Sequence, residues 1–284
     1  MKRTPSRLTL LLAALFIYAH ISLADDTPAK SLADRARAAF AAGNSAEAVK
    51  LADEAIQAEP KEPRNYLLRG QLHAALKQPT PAIADFTKLI ELQPSAVAYD
   101  LRGSERFKLN QIDESLTDFD RAIELQPNLA REHWKRGISL YYAARYVDGQ
   151  RQFESYQTFD DNDVENAVWR FLCMARGAGL DEARKSILKI RRDRRVPMME
   201  IYDLFAGKLT ADDVLQAVTA GDPSETELYQ RRFYAHLYLG LFYDATGKPD
   251  LAKQHIDLAA HKYPIGHYMA DVARVHAQRL AAKP

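Results

Sequence analysis

Apolar residues recur at the three- and four-residue spacing of an amphipathic α-helix. Phe86, Leu89 and Ile90 fall on one helical face, and residues 119–123 repeat that arrangement further along the chain. Few segments show the strict alternation of apolar and polar residues that is typical of a strand, and the sequence has only 12 glycines. The pattern predicts an all-α protein.

The sequence pattern of one helical hairpin occurs twice between residues 63 and 129. The sequence Leu-Arg-Gly at 68–70 returns at 101–103, Asp-Phe at 85–86 returns at 118–119, and Gln-Pro at 93–94 returns at 126–127. Each recurrence is separated by 33 residues. A period of this length, rich in helix formers and closed by proline, indicates a solenoid of helix–turn–helix units.

Each unit has two small residues twelve positions apart. A third position, proline in all units but one, follows twelve positions after the second small residue and ends the unit. Small residues allow two helices to cross closely, and proline ends the second helix because it lacks an N–H and disfavours helix in the residue before it. The sets are Ala36, Ala48 and Pro60; Gly70, Ala82 and Pro94; Gly103, Ser115 and Pro127; Gly137 and Gly149 with Asp161 replacing proline; and Gly240, Ala252 and Pro264.

Residues 164–232 interrupt this period and are predicted to form irregularly arranged helices. The pairs Thr210 with Asp213 and Ser224 with Glu227 have the spacing of helix-start capping boxes. The helices predicted within this segment are 164–177, 181–192, 197–206 and 210–220. The predicted divisions are repeat units 31–62, 63–95, 96–129 and 130–163 within an array 31–163, an irregular segment 164–232, a C-terminal repeat 233–266 and a capping helix 267–284.

The N-terminus has the organisation of a secretory signal peptide. Three basic residues precede an apolar run at 8–21, and small residues follow at 22–24. We expect residues 1–24 to be cleaved after Ala24, followed by a polar linker at 25–30, and the protein to be exported to the periplasm or secreted. The alternative is a retained anchor, although a spanning helix needs about 20 apolar residues. No cysteine lies near the cleavage site, so no lipid tail is expected.

Charge and cysteine content limit the kinds of partner and of cysteine chemistry that are expected for this protein. Without residues 1–24 the chain has 36 Lys and Arg against 38 Asp and Glu, which disfavours nucleic acid as the main partner. Cys173 is the only cysteine, so no intrachain disulfide is possible, and its apolar helical surroundings indicate a packing role.

The repeat pattern resembles the tetratricopeptide-repeat family over about 31–163 and 233–266. A second resemblance, to the NlpI lipoproteins of bacterial outer membranes, is carried by the runs 136–145, 160–163 and 238–243 and by the helix around Trp169. That resemblance implies a periplasmic adaptor, commonly dimeric, which brings envelope proteases and peptidoglycan hydrolases together. The chain lacks the lipobox cysteine of that family. The implied protein is therefore an exported adaptor without a lipid anchor.

The first helices of a tetratricopeptide array line its concave face, and this face is the predicted binding groove. Aromatic and arginine side chains there have the composition of an interface hot spot. The alternative is that these aromatics are core and that 164–232 covers the face. The predicted groove residues are Asp100, Phe107, Arg131, Trp134, Arg136, Ile138, Tyr141, Tyr142, Tyr234 and Leu237.

Arg69, Arg102 and Arg136 precede the glycines of successive units and could form a cationic ladder for an acidic peptide. The competing interpretation pairs Arg69 with Asp85 and Arg102 with Asp118, sixteen residues later. Gln152 occupies that position in the next unit, so Arg136 is expected to be the unpaired member.

Other candidate chemistry is weak. The basic stretch 185–195 is interpreted as a solvated helix end, with anionic lipid or cell-wall polymer as the alternative ligand. The acidic run 160–163 lacks the spacing of a calcium loop, and the histidines at 255, 261 and 267 lack that of a zinc site.

No nucleophile elbow, phosphate loop or dinucleotide fingerprint is present, so we predict no catalytic residue, cofactor or metal. The leading hypothesis is an exported, non-enzymatic adaptor that binds protein in the cell envelope. The alternatives are an accessory component of a transferase complex and a self-assembling structural protein. A cytosolic co-chaperone is disfavoured by the signal peptide.

Overall fold

The computed structural model describes residues 31–282, and their regular structure is helical throughout. Fifteen α-helices, one 3₁₀ turn and one π-helical turn are present in this range, without a strand, which confirms the all-α prediction. The predicted signal peptide 1–24, the linker 25–30 and the last two residues of segment 267–284 lie outside the described residues. Among the described helices, none is both long and apolar enough to span a bilayer.

The first eight helices pack as four consecutive hairpins. Proline at the first helical position starts the third and fourth helices, where its missing N–H has no intrahelical role. A 3₁₀ turn, Pro127–Arg131, separates the third hairpin from the fourth. The helices are α1 Leu32–Ala41, α2 Ser45–Ala58, α3 Pro63–Ala75, α4 Pro79–Leu92, α5 Ala96–Lys108, α6 Ile112–Leu125, α7 Trp134–Tyr142 and α8 Tyr146–Tyr156.

Each hairpin is closed by a residue with a left-handed backbone in the short turn between its helices. Gly43 fills this position in the first hairpin, whereas Lys77, Asn110 and Ala144 fill it in the next three, with φ between 57° and 59°. Left-handed backbone is disfavoured for residues with a Cβ, so the turn geometry is maintained here by the packing of the flanking helices.

The middle segment contains α9 Val164–Gly177, α10 Leu180–Lys185, α11 Met198–Phe205 and α12 Ala211–Ala217. The helix predicted for 181–192 ends early, at Lys185, and Arg170 Nη1 donates to the carbonyl of the next residue, Ser186, at 2.5 Å. Residues 187–196, here called the strap, are non-helical. The interpretation of 185–195 as a helix end is therefore wrong beyond residue 185.

Both predicted capping boxes are confirmed. Thr210 accepts from the Asp213 amide while the Asp213 side chain accepts from the Thr210 amide, and Ser224 and Glu227 make the same reciprocal pair. The second box starts α13 Glu225–Ala245, which forms a hairpin with α14 Pro249–Asp257.

The C-terminal helix folds back onto the repeat array. After the π-helical turn Leu258–Lys262, helix α15 Tyr268–Ala281 packs against α5 as well as α14. Tyr268 stacks on Phe107 with ring centroids 5.3 Å apart, and Arg279 donates to the Tyr142 carbonyl. The Tyr142 hydroxyl lies 3.1 Å from His276 Nδ1. This helix therefore joins the array, the middle segment and the last hairpin in one core.

Replacing Gly103 with a residue that has a bulky side chain tests the close crossing of α5 and α6. A Cβ there would lie 2.8 Å from Phe119 Cε1, so Gly103→Val should lower the free energy of unfolding by about 1–3 kcal/mol. Urea unfolding measures this change. The matched control is Gly266→Val, because no atom lies within 4 Å of a Cβ at that position. Equal effects of the two substitutions would contradict the crossing as a packing constraint.

Candidate functional site

The arginines that precede the repeat glycines are engaged by carboxylates. Arg69 binds Asp85 with its Nε 3.0 Å from Oδ2, and Arg102 binds the buried Asp118 through Nε and Nη2. These pairs confirm the repeat-internal interpretation. Arg136, predicted to be unpaired, instead donates to Asp120 at 2.6 Å and to Gln152. That prediction was wrong because the acceptor comes from the preceding α6 and from a neutral amide.

Half of the ten predicted groove residues belong to the core. Phe107, Ile138 and Leu237 are at most 1% exposed, and Tyr141 and Tyr142 are each 6% exposed. Helix α9 covers the tyrosines, with Trp169 5.4 Å and 6.2 Å from their ring centroids, and α15 covers Phe107. These five residues therefore do not form an open surface, and the alternative of a covered face holds for this part of the array.

The remaining predicted groove residues differ in their surroundings. Asp100 accepts from Lys135 at 2.6 Å and lies 3.2 Å from His133. Burial raises the pKa of Asp100, but Lys135 and His133 outweigh burial and hold that pKa below its usual value. Arg131 is exposed and lies over the Phe159 ring. Trp134 and Tyr234 are half-buried, and both line one cleft.

This cleft has a volume of about 590 Å³ and lies where the array meets the irregular segment. Its walls come from α7, the end of α8, the start of α9, the end of the strap, α13 and the start of α15. The chain contains two tryptophans, and both line it. The principal lining residues are Trp134, Tyr156, Asp163, Glu165, Trp169, Arg194, Arg195, Gln230, Arg231, Tyr234 and His267.

Three carboxylates converge on one guanidinium in the cleft wall. Arg195 donates to Asp163 at 2.7 Å, to Glu165 at 2.8 Å and to Asp193 at 2.5 Å. The Tyr238 hydroxyl donates to the other oxygen of Glu165 at 2.7 Å. We call Asp163, Glu165, Asp193 and Arg195 the acidic cluster, because its negative charges outnumber its positive charge.

The acidic cluster shifts the pKa of one of its own members. Burial and then the neighbouring Glu165 raise the pKa of Asp163 to about 6, although Arg195 acts in the opposite direction. Desolvation and like charge both disfavour the ionised form, so the cleft holds an unfavourable negative charge near neutral pH.

Arginine side chains lie at the rim of the cleft. Arg194 is exposed and makes no hydrogen bond or ion pair with any residue in the described range 31–282. Arg231 donates to the carbonyls of Val218 and Ala220 and follows Glu227 by one helical turn. The rim is therefore mixed in charge, whereas the acidic cluster has more carboxylates than cations.

Other reactive side chains have packing roles. Cys173 is 1% exposed, contacts Gly149, and has its pKa raised by burial, as the apolar context predicted. His236 and His255 lie with their Nδ1 atoms 2.9 Å apart. In the described part of the chain, no three His, Cys, Asp or Glu side chains are grouped to hold a metal.

The sequence pattern predicted Trp134 and Tyr234 as site residues, but no pattern in the sequence indicated the acidic cluster. Asp163 is the N-cap of α9, with its side chain accepting from the Glu165 amide. The pairing of Asp163 with Arg195 spans 32 residues and depends on the strap leaving helical geometry, so no local pattern signals it.

Comparisons with known proteins identify the repeats. Residues 33–97 and 96–129 match tetratricopeptide-repeat family models. No curated protein sequence matches the chain. The protein therefore carries tetratricopeptide repeats, as predicted, in this part of the array.

Solved structures share the fold. MamA has 21% identity over 54% of this chain and 85% of its own, with a TM-score of 0.51. YrrB has 17% identity over 63% and 91%, with a TM-score of 0.52. A tetratricopeptide-repeat protein from Parabacteroides merdae has 13% identity over 88% and 97%, with a TM-score of 0.55. The fold is thus an all-α tetratricopeptide-repeat solenoid.

The raised pKa of Asp163 predicts a pH-dependent effect of Asp163→Asn. With a pKa of 3.8 unfolded and about 6 folded, the carboxyl binds a proton more tightly in the fold, so its contribution to stability falls as pH rises from about 4 to about 7. The free energy of unfolding of the variant, relative to that of wild type, should therefore increase by up to about 3 kcal/mol as the pH rises over that range. The groups facing Asp163 are Glu165, Asp193, Arg195, Tyr156, Tyr234 and Tyr238.

Urea unfolding at several pH values measures the difference. Asparagine is also a good N-cap, so the start of α9 is preserved. Asp113→Asn, at an exposed position in the first turn of α6, is the control. Parallel pH curves for Asp163→Asn and wild type would contradict the raised pKa.

Proposed function

We propose that this tetratricopeptide-repeat protein is an exported, non-enzymatic adaptor of the cell envelope that binds a partner protein through the cleft. The observation that carries the proposal is the cleft itself. It joins half-buried aromatic side chains with charged groups at the junction of the repeat array and the irregular segment. Binding sites combine these features, with aromatic anchors for affinity and a few polar groups for specificity.

The repeat fold supports a role in protein binding. Tetratricopeptide proteins commonly mediate protein–protein interactions, and the YrrB structure is described as a TPR protein with an unusual peptide-binding site. Packed helices hold the cleft walls in place before a partner arrives. Little ordering entropy is then lost on binding.

The N-terminal sequence supports export. The basic residues, the apolar run at 8–21 and the small residues at 22–24 are the three parts of a cleavable signal. The resemblance to the NlpI lipoproteins supports the same compartment and an adaptor role. The absence of a cysteine at the cleavage site favours a protein without a lipid anchor.

Export is tested with residues 1–30 fused to alkaline phosphatase, which becomes active only after export and disulfide formation. We expect an active fusion, and the full-length protein should yield a mature chain that starts at Asp25. Leu12→Arg in the apolar run should abolish both results, because a charge there disrupts the apolar region that the export machinery recognises. An inactive wild-type fusion would contradict export.

Partner binding is tested with tagged 25–284 as bait on an envelope extract, read by mass spectrometry. Gln230→Trp fills the cleft with a bulky side chain and should remove the partner that wild type retains. Tyr141→Ala is unsuitable, because Tyr141 is buried and its truncation would cost stability.

The matched control is Gln216→Trp, the same substitution at an exposed position of α12 outside the cleft lining. It should retain the partner as wild type does. If wild type retains no protein, the adaptor proposal fails. If all three baits retain the same partner, the adaptor role stands but the partner binds elsewhere.

A further inference from the structure

We propose that the cleft binds an arginine side chain of the partner protein, whose guanidinium lies between the acidic cluster and the aromatic walls. This inference rests on the adaptor function proposed above and names the chemistry that its binding site recognises. It follows from three features: the excess of carboxylates in the acidic cluster, an open carboxylate oxygen and the aromatic rings that line the cleft.

The acidic cluster carries more negative than positive charge. Its three carboxylates share a single guanidinium, that of Arg195, and the Asp163, Glu165 and Asp193 side chains are 19%, 14% and 5% exposed. Interactions between charges are strong in such a partly desolvated site. A second guanidinium would offset the excess negative charge where it is least screened by water.

One oxygen of the cluster has no donor among the described residues. Both Glu165 oxygens and both Asp193 oxygens accept hydrogen bonds. Asp163 Oδ1 accepts from Arg195 and from the Glu165 amide, whereas Oδ2 accepts from no residue in 31–282. Asp163 lines the cleft, so Oδ2 is the acceptor available to a ligand N–H.

Aromatic rings line the rest of the cleft. Trp134 and Tyr234 are half-buried there, and His267 stacks on Trp134 with the rings inclined by 18°. A guanidinium is planar and weakly hydrated, so it stacks on aromatic faces while its edge donates to carboxylates. The site offers both contacts, which favours arginine over the compact ammonium of lysine.

The rim arginines do not cancel this preference. Arg194 is exposed, so water and salt screen its charge, and the charge of Arg231 is offset by Glu227, which lies one helical turn before it in the same cleft lining. The raised pKa of Asp163 points the same way, because it shows that the existing cation does not compensate the burial and the neighbouring carboxylates.

The test is direct titration with the peptide acetyl-Gly-Arg-Gly-amide, followed by tryptophan fluorescence. The chain's two tryptophans both line the cleft, so their emission reports binding there. The control ligand is the same peptide with citrulline, which keeps the shape of arginine but lacks its charge. We expect a saturable change with arginine and at least about tenfold weaker binding of citrulline.

A variant locates the contact. Asp163→Asn should weaken binding of the arginine peptide by about tenfold, whereas Asp113→Asn on exposed α6 should leave it unchanged. Circular dichroism of each variant verifies folding. If Asp163→Asn fails to fold, the comparison of arginine with citrulline on the wild-type protein still decides.

Equal responses to the two peptides, or an unchanged affinity in folded Asp163→Asn, would overturn the inference. Tighter binding of acetyl-Gly-Glu-Gly-amide would overturn it too. These outcomes are separate from failure of the adaptor role: a partner captured by wild type and lost with Gln230→Trp, without arginine selectivity, would refute only the arginine site.

Discussion

Close contact between a small residue of one helix and a large side chain of its partner is the constraint on which the structure depends. Phe86, Phe119 and Phe153 each occupy the space that a Cβ would need on the glycine of their hairpin, and Ile256 does the same at Gly240. Because packed interiors tolerate little added volume, these contacts set how near the helices of each hairpin lie. The distance between the two helices of a hairpin in turn determines how successive hairpins are separated and oriented. It therefore also determines the concave face that the first helices form.

That face does not remain a free groove along the array. Helices α9 and α15 cover its later part, and α15 buries Met269, Val272 and Val275 in the same core as Phe107. In this way the last hairpin and the C-terminal helix close an otherwise exposed apolar surface, which an open solenoid would need a cap to cover. The half-buried aromatic residues of the predicted groove, Trp134 and Tyr234, therefore lie not in an open groove of the repeats but in the cleft at their junction with the irregular segment.

The periodic parts of the fold could be predicted because their determinants are local. The spacing of Gly70 and Gly103, the helix-ending prolines and the capping pair at Thr210 each act within one helix or one hairpin. The positions of Tyr141 and Tyr142 could not be decided in the same way, since an apolar aromatic side chain suits a core and an interface equally. The outcome depended on where α9 and α15 return, which is set by contacts more than 100 residues apart, such as that between Tyr142 and His276. Arg136 likewise pairs with a carboxylate of the preceding hairpin, Asp120, as Arg69 does with Asp53, and not with one of its own hairpin.

The acidic cluster contains more carboxylates than are needed to pair with Arg195 of the strap. Burying ions is costly, and each carboxylate beyond the first adds like charge around Arg195. Asp193 already provides a bidentate contact from the same strap, and its side chain also accepts from the Val164 amide. Asp163 and Glu165 add like charge in a partly desolvated wall, and Asp163 keeps an oxygen without a donor among residues 31–282. Sites where a chain departs from its own stabilising rules are characteristically sites of function. The excess carboxylate beside Trp134 and Tyr234 is therefore best explained by a cation that comes from outside the chain.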